Sequence, residues 1–152
     1  MCVFKNVPYW ILDTGSGCDL TGAKDVAHAR RCFVAAPQPV EFATAGGATT
    51  ATHLCVASMP PLSEQIAPYV LKDTPCVLSV GLRCRKYGYS FHWPTRQKPY
   101  MVTPDEMIVR LEVMGDLPYL PLTAKPERPG QTKAKFPAWW HEHIAFQQDN
   151  RK

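Results

Sequence analysis

Apolar residues fall in short runs along this chain, each cut off by proline or glycine. Val3 to Leu12 is apolar, with β-branched and aromatic residues and with Pro8 inside it. That pattern predicts strand, break, strand. The second strand, Tyr9-Trp10-Ile11-Leu12, runs directly into Asp13-Thr14-Gly15-Ser16-Gly17. Two glycines in three residues mark a tight turn at the end of a buried strand. Residues 22–33 predict a short helical turn or an irregular loop. From Pro39 to Val56, Val40 and Phe42 alternate with polar or small neighbours, Gly46-Gly47 follows, and a Thr-rich run leads to Leu54, Cys55 and Val56. Two strands joined at Gly46-Gly47 predict a β-hairpin whose tip needs positive φ.

Pro60-Pro61 breaks the chain, and Tyr69-Val70-Leu71 predicts another strand. Cys76 to Val80 is a third apolar run, ended by Gly81. Leu82 to Tyr87 reads as a helical turn closed by Gly88, and Ser90 to Trp93 as extended. Met107 to Met114 alternates, with Met107, Val109, Leu111 and Val113 on one face and Ile108, Arg110 and Glu112 on the other. This predicts one half-buried strand. Gly115-Asp116 is a turn signal, and Leu117 to Leu122 a last extended segment. The sum is an all-β domain of closed or sandwich type over residues 1–122. Residues 123–152 read as a basic tail containing Pro and Lys, with a candidate short helix from Ala138 to Gln148.

Composition agrees with that reading. Fifteen prolines in 152 residues exclude long helices, a coiled coil or a bundle over most of the chain. No apolar run approaches the roughly 20 residues of a membrane span, so no membrane association is expected. The N-terminal stretch is not read as a signal peptide, and a cytoplasmic location is expected. The net charge of +4 fits only weak attraction to nucleic acid, through the basic tail, because no compact Lys/Arg run exists.

Six cysteines, at 2, 18, 32, 55, 76 and 84, form no CxxC pair, which argues against a zinc knuckle or ribbon. Their even number would permit three disulfides. Without a secretory signal they are read as mostly buried thiols. His141-Glu142-His143 lacks the spacing of an HExxH zinc helix. His28 with Cys18 and Cys32 lacks a fourth ligand, so no metal and no cofactor is expected. Ser16 and Ser79 lie near glycines without forming GxSxG. Trp139-Trp140 is read as a packing anchor before a base-stacking platform.

The strongest chemical signal is Asp13-Thr14-Gly15. An acid at the end of an apolar strand needs a reason to exist, because an unpaired charge away from water is costly. Thr14 offers a hydroxyl to backbone or to a facing subunit, and Gly15, without Cβ, lets substrate or a second chain approach.

This stretch resembles the active-site strand of aspartic proteases: an apolar pair followed by Asp-Thr/Ser-Gly-Ser/Ala. One copy in a chain of this length is similar to the retropepsins, which pair two chains. The Gly46-Gly47 hairpin stands where such enzymes have a flap. Val77-Leu78-Ser79-Val80-Gly81, followed by a short helix, stands where they have the second strand of a ψ-shaped core. Trp10-Ile11-Leu12-Asp13 and Leu78-Ser79-Val80 also look like segments of copia-type retrotransposon polyproteins.

The resemblance covers about residues 8–122. It implies an acid-protease closed barrel with one short helix, one lobe per chain. It also implies a homodimeric aspartic endopeptidase that processes a retrotransposon-type polyprotein. Catalysis would fall to Asp13, Thr14 and Gly15, and polypeptide binding to Ser16, Gly46, Gly47, Val80 and Gly81. Two Asp13 carboxylates about 4 Å apart would repel by about 4 kcal/mol at an effective dielectric near 20, so the pair would hold one proton. The charged member would take a proton from water while the protonated member donates to the peptide carbonyl. The alternative is a catalytically inactive dimerisation or binding module of the same fold, favoured by Gly17-Cys18 and by the few residues before Asp13. A third reading is a nucleic-acid-associated domain using the tail.

Overall fold

The structure is a computed structural model and describes residues 2–130. Its first strands are β1 (Tyr9–Asp13), β2 (Leu20–Gly22), β3 (Phe33–Thr44), β4 (Gly47–Cys55), β5 (Ala57–Met59), β6 (Glu64–Ile66), β7 (Tyr69–Leu71) and β8 (Val77–Ser79). Helix α1 (Val80–Lys86) follows, then β9 (Ser90–His92), β10 (Tyr100–Val102), β11 (Ile108–Arg110), β12 (Glu112–Met114) and β13 (Leu117–Pro121). Two 3-10 turns, Ala27–Cys32 and Pro60–Leu62, complete the elements. The all-β expectation therefore holds, with one short helix among the described residues. The expected helix Ala138–Gln148, Trp139-Trp140 and His141-Glu142-His143 lie outside them.

An eight-stranded sheet runs in the order β12-β13-β1-β8-β2-β7-β4-β3. Its ladder ends at β12 and β3, so among the described residues no closed barrel forms, contrary to expectation. Near its centre β1 and β8 run parallel, Ile11 opposite Val77, Leu12 opposite Leu78 and Asp13 opposite Ser79. The chain leaves β1, passes the end of β8, and returns as β2 on β8's far side, antiparallel to it. Strand β8 is thus inserted between two strands that are consecutive in sequence.

Alternation along β1 sends Trp10 and Leu12 into the core. Trp10 is fully buried, packs on Phe4 at 5.2 Å between ring centroids, and stands opposite Leu120 of β13. Leu78, Met59, Met101, Leu111 and Leu120 complete the same cluster. Tyr9, Ile11 and Asp13 take the opposite face, together with Tyr119, which pairs with Ile11 and meets Tyr9 edge-on. That face stays partly open: Tyr9, Leu117 and Met114 are all exposed.

Three local expectations are corrected. Strand β8 stops at Ser79, and Val80-Gly81 open α1, because the Ser79 hydroxyl accepts the Leu82 N–H as the helix cap. In the hairpin, Thr44 pairs with Gly47, so the two-residue loop is Ala45-Gly46 rather than Gly46-Gly47. Positive φ falls on Gly47 alone at that tip, at +113°. The stretch 107–114 is two strands in two sheets. Strand β11 pairs with β10 in a three-stranded sheet, β12 with β13 at the edge of the large one. Ile108 and Val109 are both buried, and Val113 is exposed.

The hairpin itself is longer than its alternation suggested, since β3 begins at Phe33 and is bulged between Ala35 and Val40. Strands β2, β5, β6 and β10 had no recognised signal. Beyond residue 122 the chain still pairs, Glu127 bridging to Ile108. Cys2 and Cys32 form a disulfide with a Cα–Cα distance of 6.4 Å. For those two the thiol reading fails, and Cys32 is lost as a partner for His28. Cys55 and Cys76 are buried thiols as expected, whereas Cys84 is exposed.

Candidate active site

The site grows from the junction of β1, β8 and α1. Asp13 closes β1 and is half-buried, not buried as its strand context suggested. The chain turns so sharply after it that the Gly15 N–H donates to Asp13 Oδ1 at 2.7 Å. A Cβ on Gly15 would stand 3.2 Å from that same oxygen. Glycine there permits the close turn that aims a backbone donor at the carboxylate. A Cβ on Gly81 would meet nothing within 4 Å, so within the described residues the close approach occurs at Gly15 and not at Gly81.

Ser79 ties the pieces together. Its hydroxyl donates to the Ser16 carbonyl at 2.5 Å and accepts the Leu82 N–H at 3.1 Å. Its backbone N–H donates to Asp19 Oδ1 at 2.7 Å. Ser16 Oγ in turn donates to the Cys18 carbonyl at 2.7 Å. One serine therefore joins the strand beside Asp13, the loop after Asp13 and the first turn of α1.

Beneath the loop lies a buried ionic cluster. Arg83 is wholly inaccessible to solvent. Its Nη1 donates to Asp19 Oδ1 at 2.6 Å, and its Nη2 to Asp19 Oδ2 at 3.0 Å and Glu64 Oε1 at 2.6 Å. Tyr89 Oη donates to Glu64 Oε2 at 2.8 Å. Burial by itself pushes the Arg83 guanidinium down. The bonds and charge of Asp19, then those of Glu64, more than reverse this, and the net direction is up. Burial, followed by the bond to Glu64, pushes the Tyr89 hydroxyl up. The cluster clamps the far end of the 14–19 loop to α1, to β6 and to Tyr89 just before β9.

A groove of about 720 Å³ opens beside this loop, lined by Thr14, Gly15, Ser16 and Gly17 on one side and by Gly81, Leu82, Arg85 and Lys86 of α1 on the other. The groove thus brings together Thr14, Gly15, Ser16 and Gly81, while Asp13, the residue before Thr14, is not part of its lining. Val80 is buried at the start of α1. Gly46 and Gly47 are exposed at the hairpin tip and do not line this groove. Sequence reasoning missed Glu64, Arg83 and Tyr89 and gave Ser79 no role. The one available hint was Asp19 close behind the motif, with an arginine after the Gly81 stop. Among the described residues no group of three or more His, Cys, Asp and Glu side chains could hold a metal.

These features define an all-β chain with an acidic strand end set beside a parallel strand and a capped helix. The chain matches no protein-family model, no curated protein and no solved structure. No helix among the described residues is long and apolar enough to cross a membrane.

Proposed function

We propose that the protein is an aspartic endopeptidase of retropepsin type, active as a homodimer in which each chain supplies Asp13. The observation that carries this reading is the placement of Asp13-Thr14-Gly15. The motif ends a strand paired in parallel with β8, and its loop crosses the end of β8 before β2 begins. Chemistry supports the pairing of chains, since peptide hydrolysis by this route needs a base and an acid at once. No other acid in the chain has an Asp-Thr/Ser-Gly context. A two-fold axis through the site supplies the second carboxylate. The partly open apolar face that ends at Asp13, with Tyr9, Tyr119, Leu117 and Met114, suits burial against a second copy.

In the dimer the charged Asp13 takes a proton from water, and the water oxygen bonds to the peptide carbonyl carbon. The protonated Asp13 gives its proton to the carbonyl oxygen. Collapse of the resulting diol breaks the C–N bond, returns a proton to the carboxylate pair and leaves the amine with the other. The hairpin β3–β4 would close over the polypeptide, which we read as the polyprotein of a retrotransposon-type element.

The test is cleavage of a peptide library read by mass spectrometry, with Asp13→Asn as the control. Asp13→Asn should abolish cleavage while the chain stays folded, because the amide is nearly isosteric. Titrating Asp13→Asn chains into wild type, after exchange, should depress activity below simple dilution, since each mixed dimer holds one carboxylate. A monomer as active as the dimer would reject the shared dyad. A wild-type dimer that cuts nothing would favour the inactive binding module.

A further inference from the structure

The groove beside residues 14–17 carries an electrostatic feature that peptide hydrolysis does not use. Arg85 and Lys86 are its only charged lining residues, and both are exposed. Neither makes a salt bridge with any described residue. The carboxylates that share the adjoining cavity with Lys86 are Asp19 and Glu64. Both are already engaged by Arg83. Among the described residues these two cations, Arg85 and Lys86, outnumber the single net negative charge left by Asp19, Glu64 and Arg83, and they line the groove beside the hydroxyl-bearing Thr14 and Ser16. Such an arrangement attracts a carboxylate and disfavours a basic side chain.

Its position relates it to Asp13. The groove's lining begins at Thr14, the residue that follows Asp13, so a polypeptide cut at Asp13 can continue into it. We propose that this groove is a subsite for an acidic side chain of the substrate polypeptide, held by Arg85 and Lys86. The proposal rests on the peptidase reading for the identity of the polypeptide as a substrate. It also specifies which class of sequence is chosen: peptides with Asp or Glu a few residues from the scissile bond.

Two measurements separate the subsite from the peptidase reading. The first uses the full-length Asp13→Asn chain and pools of short fluorescein-labelled peptides that differ only in one fixed position, Glu or Gln, read by anisotropy. The Glu pool should bind about fivefold more tightly, the scale of one favourable, partly exposed ion pair. The preference should fade as salt rises from about 0.1 M to about 1 M, where screening shortens from about 10 Å to about 3 Å. Arg85→Gln with Lys86→Gln should bring the Glu/Gln ratio to about one. Both side chains are exposed, and an unchanged melting temperature verifies the fold.

The second measurement is the wild-type cleavage profile. Asp and Glu should be enriched at one position near the cut, and the double variant should lose that enrichment. Equal binding of the two pools, or a Glu preference that survives the double variant, overturns the subsite. Self-association through the groove, lost in the double variant without any Glu preference, overturns it in favour of a second copy. Cleavage without acidic enrichment sinks the subsite and leaves the peptidase reading standing. A Glu preference in binding, with no cleavage by wild type, does the reverse.

Discussion

Arg83→Met should destabilise the chain far more than an ordinary substitution. Arg83 is fully buried and makes bonds of 2.6 and 3.0 Å to Asp19 and of 2.6 Å to Glu64, with another to the Ser79 carbonyl at 3.2 Å. Asp19 is 7% exposed, and Glu64 18%. Methionine fills much of the volume but leaves two carboxylates without their cation, one of them buried. Breaking a buried pair from one side costs about 3–5 kcal/mol, most of it the penalty of the stranded charge. Domains are stable by only about 5–15 kcal/mol.

With an urea slope of about 2 kcal/mol per M, the midpoint should fall by about 2 M. Fluorescence of buried Trp10 is a direct probe in an equilibrium titration. Asp19→Asn, Glu64→Gln and Arg83→Met together remove all three charges and should recover at least half of the loss. Arg83→Lys should sit between, since an ammonium cannot present the planar fork that meets both carboxylates. A midpoint shift under about 0.5 M for the single variant, on the same slope, would refute the reasoning. So would a triple variant no better than the single one.

Reduction of the Cys2–Cys32 disulfide, which spans 30 residues, should cost about 3–4 kcal/mol by loop-closure entropy. Melting with and without reductant, beside Cys2→Ser, checks it, and identical curves would contradict it. Gly47→Val should strain a φ of +113° by about 1–3 kcal/mol, whereas Gly46→Val should be tolerated better. Comparing their melting temperatures and cleavage rates tests both the turn assignment and the flap. Burial pushes the Tyr100 hydroxyl up from 10.0 to about 12. The folded chain keeps a proton that the unfolded chain loses, so this contribution is complete below pH 10 and lost as pH rises towards about 12. The loss is at most about 1.4 kcal/mol per pH unit. Urea midpoints should therefore fall less steeply with pH in Tyr100→Phe than in wild type, and parallel curves would exclude the effect.

The elements legible in the sequence were those with a local cause. Trp10 and Leu12 alternate with Ile11 and Asp13, and two glycines follow within four residues, so strand and turn were both written into a short window. The apolar run before Gly81 and the stop at Gly88 marked β8 and α1 in the same way. Where one residue had to choose between neighbouring elements, local pattern failed. Val80 looks like a strand residue, yet it starts a helix because Ser79 caps Leu82. The alternation of 107–114 continues smoothly, yet the chain changes sheets at Leu111, because β10 claims Ile108–Arg110 and β13 claims Glu112–Met114.

The amino-acid sequence by itself determined an all-β chain with short elements, an acid at the end of an apolar strand, and the glycine that lets the chain turn tightly behind it. These follow from backbone freedom and hydrophobic period, both of which act over a few residues. Tertiary structure alone decided that β8 lies between β1 and β2, that Asp13 faces Ser79, and that Cys2 meets Cys32. It also joined Asp19, Glu64 and Arg83, across 64 and 19 residues of chain. An isolated Asp, Glu or Arg in a sequence reads as surface. Only the fold takes Arg83 and Asp19 out of water and brings the half-buried Glu64 to them, and a buried cation then requires carboxylates beside it.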